Sequence, residues 1–75
     1  MPKLPPLSGK EVIKALSKVD FQPARQKGSH VILVKKTNDV KLAVVVPLHN
    51  EIDIGTLLEI IRQAGLKRED FIKLI

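Results

Sequence analysis

A chain of 75 residues can build one core but not two, because a domain of this size buries only about 60% of the surface its unfolded form exposes. It contains no cysteine, which excludes disulfides, thiolate metal sites and thiol chemistry, and its two aromatic residues, Phe21 and Phe71, are too few to grip nucleic-acid bases by serial stacking. The net charge of +5 is uneven: residues 1–36 carry Lys3, Lys10, Lys14, Lys18, Arg25, Lys27, Lys35, Lys36 and the N-terminal amine against Glu11 and Asp20 alone. A phosphate polyanion or an acidic protein suits such a surface, and a merely solvated basic face is the plainer alternative. No apolar run approaches the ~20 residues of a membrane span, and "MPKLPPLSGK" lacks the apolar middle of a secretory signal, so a single cytoplasmic domain over 1–75 is expected, with residues 1–7 as a leader.

In chain order, "LSGKEVIKALSKVDF" opens with Ser8 and places Glu11 three residues later, a capping box that predicts a helix starting at Ser8. Val12, Ile13, Leu16 and Val19 form its apolar stripe, leaving Lys10, Lys14 and Lys18 on the wet, basic side. Pro5 and Pro6 keep the preceding residues out of the helix. "FQPARQ" alternates weakly, and Pro23 cannot donate to a ladder, so this strand belongs at a sheet edge. "KGS" turns the chain, with Gly28 free to take positive φ. "SHVILVKK" is β-branched and apolar on both faces, as a central strand should be. "TND" supplies a second turn, and "VKLAVVV" makes a third strand closed by Pro47.

After "PLHNEID", the segment "IGTLLEIIRQAGL" carries the stripe Leu57, Leu58, Ile60, Ile61 and Ala64, with Gly65 placed for a left-handed C-terminal cap. "KREDFIKLI" reads as a short terminal helix packing through Phe71, Ile72, Leu74 and Ile75. The expected fold is α+β, in the order αβββα, with a three-stranded antiparallel sheet and helices on one face. If so, alternate residues such as Val31 and Leu33, or Ala43 and Val45, remain on the other face as an aliphatic patch suited to partner binding or self-association, unless the terminal helix or the "PPL" leader folds over it.

Taken with the capped helix, "DFQPARQKGSHVIL", "VPLHNEIDIGTLLEIIRQAGL" and the following "REDF" closely resemble the HicA mRNA interferase toxins, also called the YcfA-like family. The likeness runs from about Leu7 to Ile75, anchored by "GSH" at 28–30, "VPLH" at 46–49, "GTL" at 55–57 and "QAGL" at 63–66. What the resemblance implies is a fold similar to the double-stranded-RNA-binding domain, metal-independent ribonuclease activity on mRNA, a cognate antitoxin of the HicB type, and His30 as the catalytic residue.

Such chemistry needs a group to take the proton of a ribose 2′-hydroxyl and one to protonate the leaving 5′-oxygen, and histidine serves both roles near neutral pH. For phosphate contact the candidates are Arg25, Lys27 and Lys35, the backbone at Gly28 and Ser29, and Lys10 and Lys14 on the basic side of the first helix. His49 is a secondary candidate for which a hydrogen bond within its loop is the plainer role. Without a resemblance, a lone strand histidine is by default structural. Two histidines with no acidic cluster do not make a metal site, so neither metal nor cofactor is expected. Two other functions remain open on the sequence: a non-catalytic RNA-binding module of this fold, and a protein-interaction domain for an acidic partner.

Overall fold

The computed structural model describes residues 4–37 and 39–75; the first three leader residues and Asn38 of the second turn lie outside it. Helix α1 spans Gly9–Ser17, strands β1, β2 and β3 span Gln22–Lys27, His30–Lys36 and Lys41–Pro47, and helices α2 and α3 span Ile54–Gln63 and Arg68–Ile72. The strands form one antiparallel sheet in the order β1-β2-β3. This is the αβββα arrangement of the double-stranded-RNA-binding type.

Local chemistry sets the helix ends. The Ser8 hydroxyl accepts from the Glu11 N–H at 3.2 Å while the Glu11 carboxylate accepts from the Ser8 N–H at 3.0 Å, the reciprocal capping box expected at this position. Both long helices end in the same two-bond motif. In α1 the Phe21 N–H donates to Leu16 O at 3.2 Å and Asp20 N–H to Ser17 O at 3.3 Å; in α2 Leu66 N–H donates to Ile61 O at 3.1 Å and Gly65 N–H to Arg62 O at 3.0 Å. The left-handed residue is Gly65 (φ 73°) in one and Asp20 (φ 72°) in the other. An aspartate there carries a Cβ penalty that glycine avoids.

The core lies between the sheet and the helices. Val12, Ala15 and Leu16 of α1, Leu57, Ile60 and Ile61 of α2, and Phe21 and Phe71 close over Val31 and Leu33 of β2 and Val44 and Val46 of β3. Val31 and Leu33 therefore face the helices, contrary to the sequence expectation, and the residues left on the outer face are Ile32, Val34, Ala43 and Val45. The cause is register. Val31 pairs with Val46 and Leu33 with Val44, so each pair shares a face, whereas the sequence alone gives no reason to set the parity of one strand against the other. Neither proposed cover is in place. Leu4 and Leu7 of the leader pack against the core, the Ile52 N–H donates to Leu7 O at 2.8 Å, and the C-terminal end is tied to α1 by a 2.8 Å bond from Lys18 Nζ to Leu74 O. Among the described residues nothing covers the outer face, and Val45 there is 44% exposed.

Strand β1 is the expected edge strand, and both of its faces are exposed. Its pairing with β2 steps from Pro23–Leu33 to Arg25–Ile32, leaving Ala24 as a bulge. The extra residue changes the parity of the strand. Strict alternation would put Phe21, Arg25 and Lys27 on one face; the bulge lets Phe21 enter the core while Arg25 and Lys27 turn outward.

Gly9 fixes where α1 meets the sheet. A Cβ at this position would lie 2.1 Å from Pro47 O and 2.9 Å from Leu48 Cα, and the Gly9 N–H donates to His49 O at 3.0 Å. Gly9→Ala is expected to cost about 1–3 kcal/mol through forced separation of helix and strand, whereas Asp20→Gly should gain about 0.5–1 kcal/mol by removing the left-handed penalty. Urea unfolding of the two variants beside the parent checks both signs; a neutral Gly9→Ala would show that the close approach is not a constraint.

Candidate RNA-binding and catalytic face

His30 begins β2 directly after a two-residue turn. Lys27 and His30 are paired, Gly28 sits at φ 60°, and no positive φ is found at Ser29, the pattern of a turn whose first central residue must be glycine. Open space surrounds the Gly28 α-carbon, so it is the backbone angle rather than crowding that calls for glycine. The Gln26 side-chain amide donates to Gly28 O at 3.1 Å and steadies the turn. On the other side His30 pairs with Pro47, and the Leu48 N–H donates to Ser29 O at 2.7 Å, extending the ladder one step past the strand end.

The register places His30 on the outer face with Ile32, Val34 and Lys36. Its imidazole is exposed and makes no side-chain hydrogen bond among the described residues. Lys27 stands directly across from it, and Arg25 follows opposite Ile32. All three are free of carboxylate partners: among the described residues the one ion pair is Glu59–Arg62, on α2. The turn and both cations are solvent-exposed, which suits contact with an extended polyanion rather than with a small enclosed ligand.

The other candidates divide. Lys10 is exposed in the first turn of α1, just past the Gly9–His49 bond, so it reaches the same end of the molecule as His30 but from the helix layer. Lys14 lies a turn further along α1, where it borders a groove with Leu7, Lys18 and Leu74, and is not part of the His30 face. Lys35 is also separated. Its parity in β2 is that of Val31 and Leu33, and its ammonium lies 5.8 Å from the centroid of the Phe21 ring, a cation–π contact on the helix side. His49 is exposed two residues beyond Pro47; its carbonyl holds the α1 terminus, as the bond from Gly9 shows, while its side chain makes no hydrogen bond among the described residues. No group of three or more His, Asp or Glu side chains converges among the described residues.

Two positions and one cross-strand pairing escape the sequence reading. Gly9 left a signal: glycine in a first helical turn is a poor helix former, and a poor choice kept at a well-capped start points to crowding. Asp53 caps α2, accepting from the Thr56 hydroxyl at 2.7 Å and from the Thr56 N–H at 3.0 Å, and these bonds hold its carboxyl below the usual carboxylate range. The third is the Lys36–Lys41 pair at the far end of the outer face, whose meeting depends on strand register.

The fold and this face define a small α+β domain of the double-stranded-RNA-binding type with a bare histidine among unpaired cations. Residues 9–66, more than three-quarters of the chain, match the family described as "HicA toxin of bacterial toxin-antitoxin", and the chain belongs to the HicA toxin family. A comparison with curated proteins finds no match. Membership makes the chain a toxin of a toxin–antitoxin pair, with an antitoxin as its partner. No helix among the described residues is long and apolar enough to cross a membrane.

The Asp53 cap makes an acid-side prediction. Because the folded carboxyl titrates below its unfolded value, its contribution is fully present above the ordinary carboxylate range and is lost as pH falls through the lower folded value. Asp53→Ala should therefore lower stability at neutral pH and flatten the decline on the acid side, as measured by thermal unfolding between pH 7 and 3; a parallel decline in both proteins would refute the cap's role.

Proposed function

We propose that the chain is a metal-independent endoribonuclease that cleaves mRNA, with His30 as its general acid–base group. The observation that carries this reading is the state of His30: an exposed imidazole without a hydrogen-bond partner among the described residues has no structural task, yet it sits at the rigid end of a hairpin beside Lys27 and Arg25. A structural histidine is expected to be buried, bonded or both.

In the proposed step the imidazole takes the proton from a ribose 2′-hydroxyl. The O2′–P bond forms as the P–O5′ bond breaks, giving a 2′,3′-cyclic phosphate and a strand with a 5′-hydroxyl whose oxygen takes its proton from a second acid or from water. Lys27 and Arg25 offset the charge that builds on the phosphate oxygens, and the exposed amides of Gly28 and Ser29 are available to donate to it. Lys10 adds positive potential at the same end. His49, a short step past the strand partner of His30, is the candidate for the second acid.

The antitoxin in this reading is an acidic, HicB-like protein, and the substrate places the work in the cytoplasm. The uncovered aliphatic centre of the outer face, rimmed by Arg25, Lys27, Lys36 and Lys41, suits such a partner in shape and charge.

The test is to incubate the purified protein with RNA in excess chelator beside His30→Ala. The parent should cut, and the variant should lose a factor of roughly 10² to 10⁴ in rate. RNA with 2′-deoxyribose at the cut sites should stay intact. Cleavage of that deoxy substrate would refute the 2′-hydroxyl attack, and intact RNA bound equally by both proteins would favour a non-catalytic binding module.

A further inference from the structure

The outer face carries a second cationic group that the His30 end does not use. Lys36, the last residue of β2, is directly paired with Lys41, the first of β3, and both are exposed. Like charges facing each other across an antiparallel pair destabilise the sheet. Neither lysine takes part in an ion pair among the described residues. Beside them the Thr37 N–H and hydroxyl both donate to Val40 O, at 2.8 and 2.9 Å.

Both lysines share the face of His30. Lys36 has the parity of His30, Ile32 and Val34 along β2, and its partner Lys41 has that of Ala43 and Val45 along β3. Six steps of strand put the pair roughly 20 Å from His30. The floor between them is aliphatic, and alongside it a groove of about 470 Å³ is lined by Asp20, Gln22, Pro23, Ala24, Val34 and Lys36. The groove sits at the bulge, where the skipped residue lets Gln22 face outward beside Val34. Its lining offers an amide, a carboxylate and an ammonium, which together can meet the hydroxyls, base edges and phosphate of a nucleotide. No strand residue on this face is acidic.

We propose that Lys36 and Lys41 form a second phosphate-binding subsite, which holds the RNA substrate by a backbone phosphate remote from the scissile one. This inference rests on the ribonucleolytic reading and extends it to the substrate. The strand enters at the Lys27–His30 end and runs along the outer face to the lysine pair. At 3.4 Å per stacked nucleotide the span of roughly 20 Å corresponds to about six nucleotides, fewer where the strand is unstacked. Short fragments reach the chemistry without reaching the subsite. The like-charge pair thus costs the free protein stability and returns it when a phosphate lies between the two ammonium groups.

The experiment compares the parent with the double variant Lys36→Gln/Lys41→Gln on a 12-nucleotide RNA and on a 4-nucleotide RNA, in chelator. One phosphate, at ~0.7 counterion released per phosphate, predicts a KM for the longer RNA raised about fourfold near 0.15 M salt, with kcat within about twofold. The 4-nucleotide substrate should be unaffected. Binding is read separately in a His30→Ala background, where the slope of log Kd against log salt should fall by roughly 0.7 on removing both lysines. Lys67→Gln/Lys73→Gln, which removes the same charge from the α3 region, should move that slope much less.

Thermal unfolding controls for folding: relief of like-charge repulsion predicts an unchanged or higher Tm for the Lys36/Lys41 variant, whereas a structural role predicts a lower one. Cleavage and binding that are the same for both double variants and the parent would overturn the subsite while leaving the ribonuclease reading intact. Equal losses in the two double variants would reduce the effect to net charge and overturn it as well. Binding without cleavage by the parent would defeat the ribonuclease reading while the salt slope still decided the subsite. No RNA binding by the parent would defeat both and leave the pair to an acidic protein partner.

Discussion

The pairing of His30 with Pro47 is the constraint on which the candidate site depends. In an antiparallel pair, successive residue pairs alternate between exchanging backbone hydrogen bonds and exchanging none. The Leu48 N–H bond to Ser29 O marks the 29–48 step as a bonded one, so the 30–47 step is unbonded and the nitrogen of Pro47 faces the free edge of β3. A proline costs the ladder nothing there. The same parity turns His30 away from the helices. A slip of one residue would carry His30 inward and expose Val31 and Leu33, both now buried, so the hydrophobic core itself holds the histidine on the open face.

The helix layer is locked to that same end of the sheet. α1 begins where Gly9 rests against Pro47 and Leu48, and its first N–H is taken by His49 O. Ile52, on the way to α2, returns a bond to Leu7 just ahead of α1. Three segments distant in sequence, the leader, the 28–29 turn and the 48–52 loop, are thereby joined by backbone bonds within one end of the domain. A small chain without disulfides gains rigidity there from short hydrogen bonds and close backbone packing, and a reactive group held on such a frame keeps its geometry better than one on a free loop. The turn itself contributes, because Gly28 at φ 60° leaves little choice in how β1 enters β2.

Much of this was legible in the sequence, and what was not has a common physical origin. Helix starts and stops are local events: Ser8 with Glu11, and Gly65 after the Leu57–Ala64 stripe, can be read from neighbours three or four residues apart. The meander was legible from Pro23, Gly28 and Pro47 for the same reason. The faces of the strands were not, because a face is a relation between strands. "VILV" and "AVVV" are apolar at every position, so alternation carries no information about which residues go inward, and Val31 and Leu33 face the core rather than the outer side that the sequence suggests. The bulge at Ala24 decoupled Phe21 from Arg25 and Lys27, and a one-residue difference in parity separated Lys35, over the Phe21 ring, from Lys36, on the outer face. The position of His30 was legible; the company it keeps was a matter of register.

The charge distribution follows from that same register. Glu11, Glu59, Glu69 and Asp70 all belong to the helices, while the outward strand residues include Arg25, Lys27, Lys36 and Lys41 and no carboxylate. Four of the 13 basic residues stand on the outward side of a thin sheet whose own outward strand residues carry no carboxylate, which gives that face a directed field. The aliphatic residues between the two cationic ends sharpen it. Ile32, Val34, Ala43 and Val45 hold water less tightly than polar side chains would, so an occupant lying across them displaces that water at little cost. Both aromatic residues, Phe21 and Phe71, are spent in the core, so what the outer face presents to an occupant is aliphatic side chains between cations.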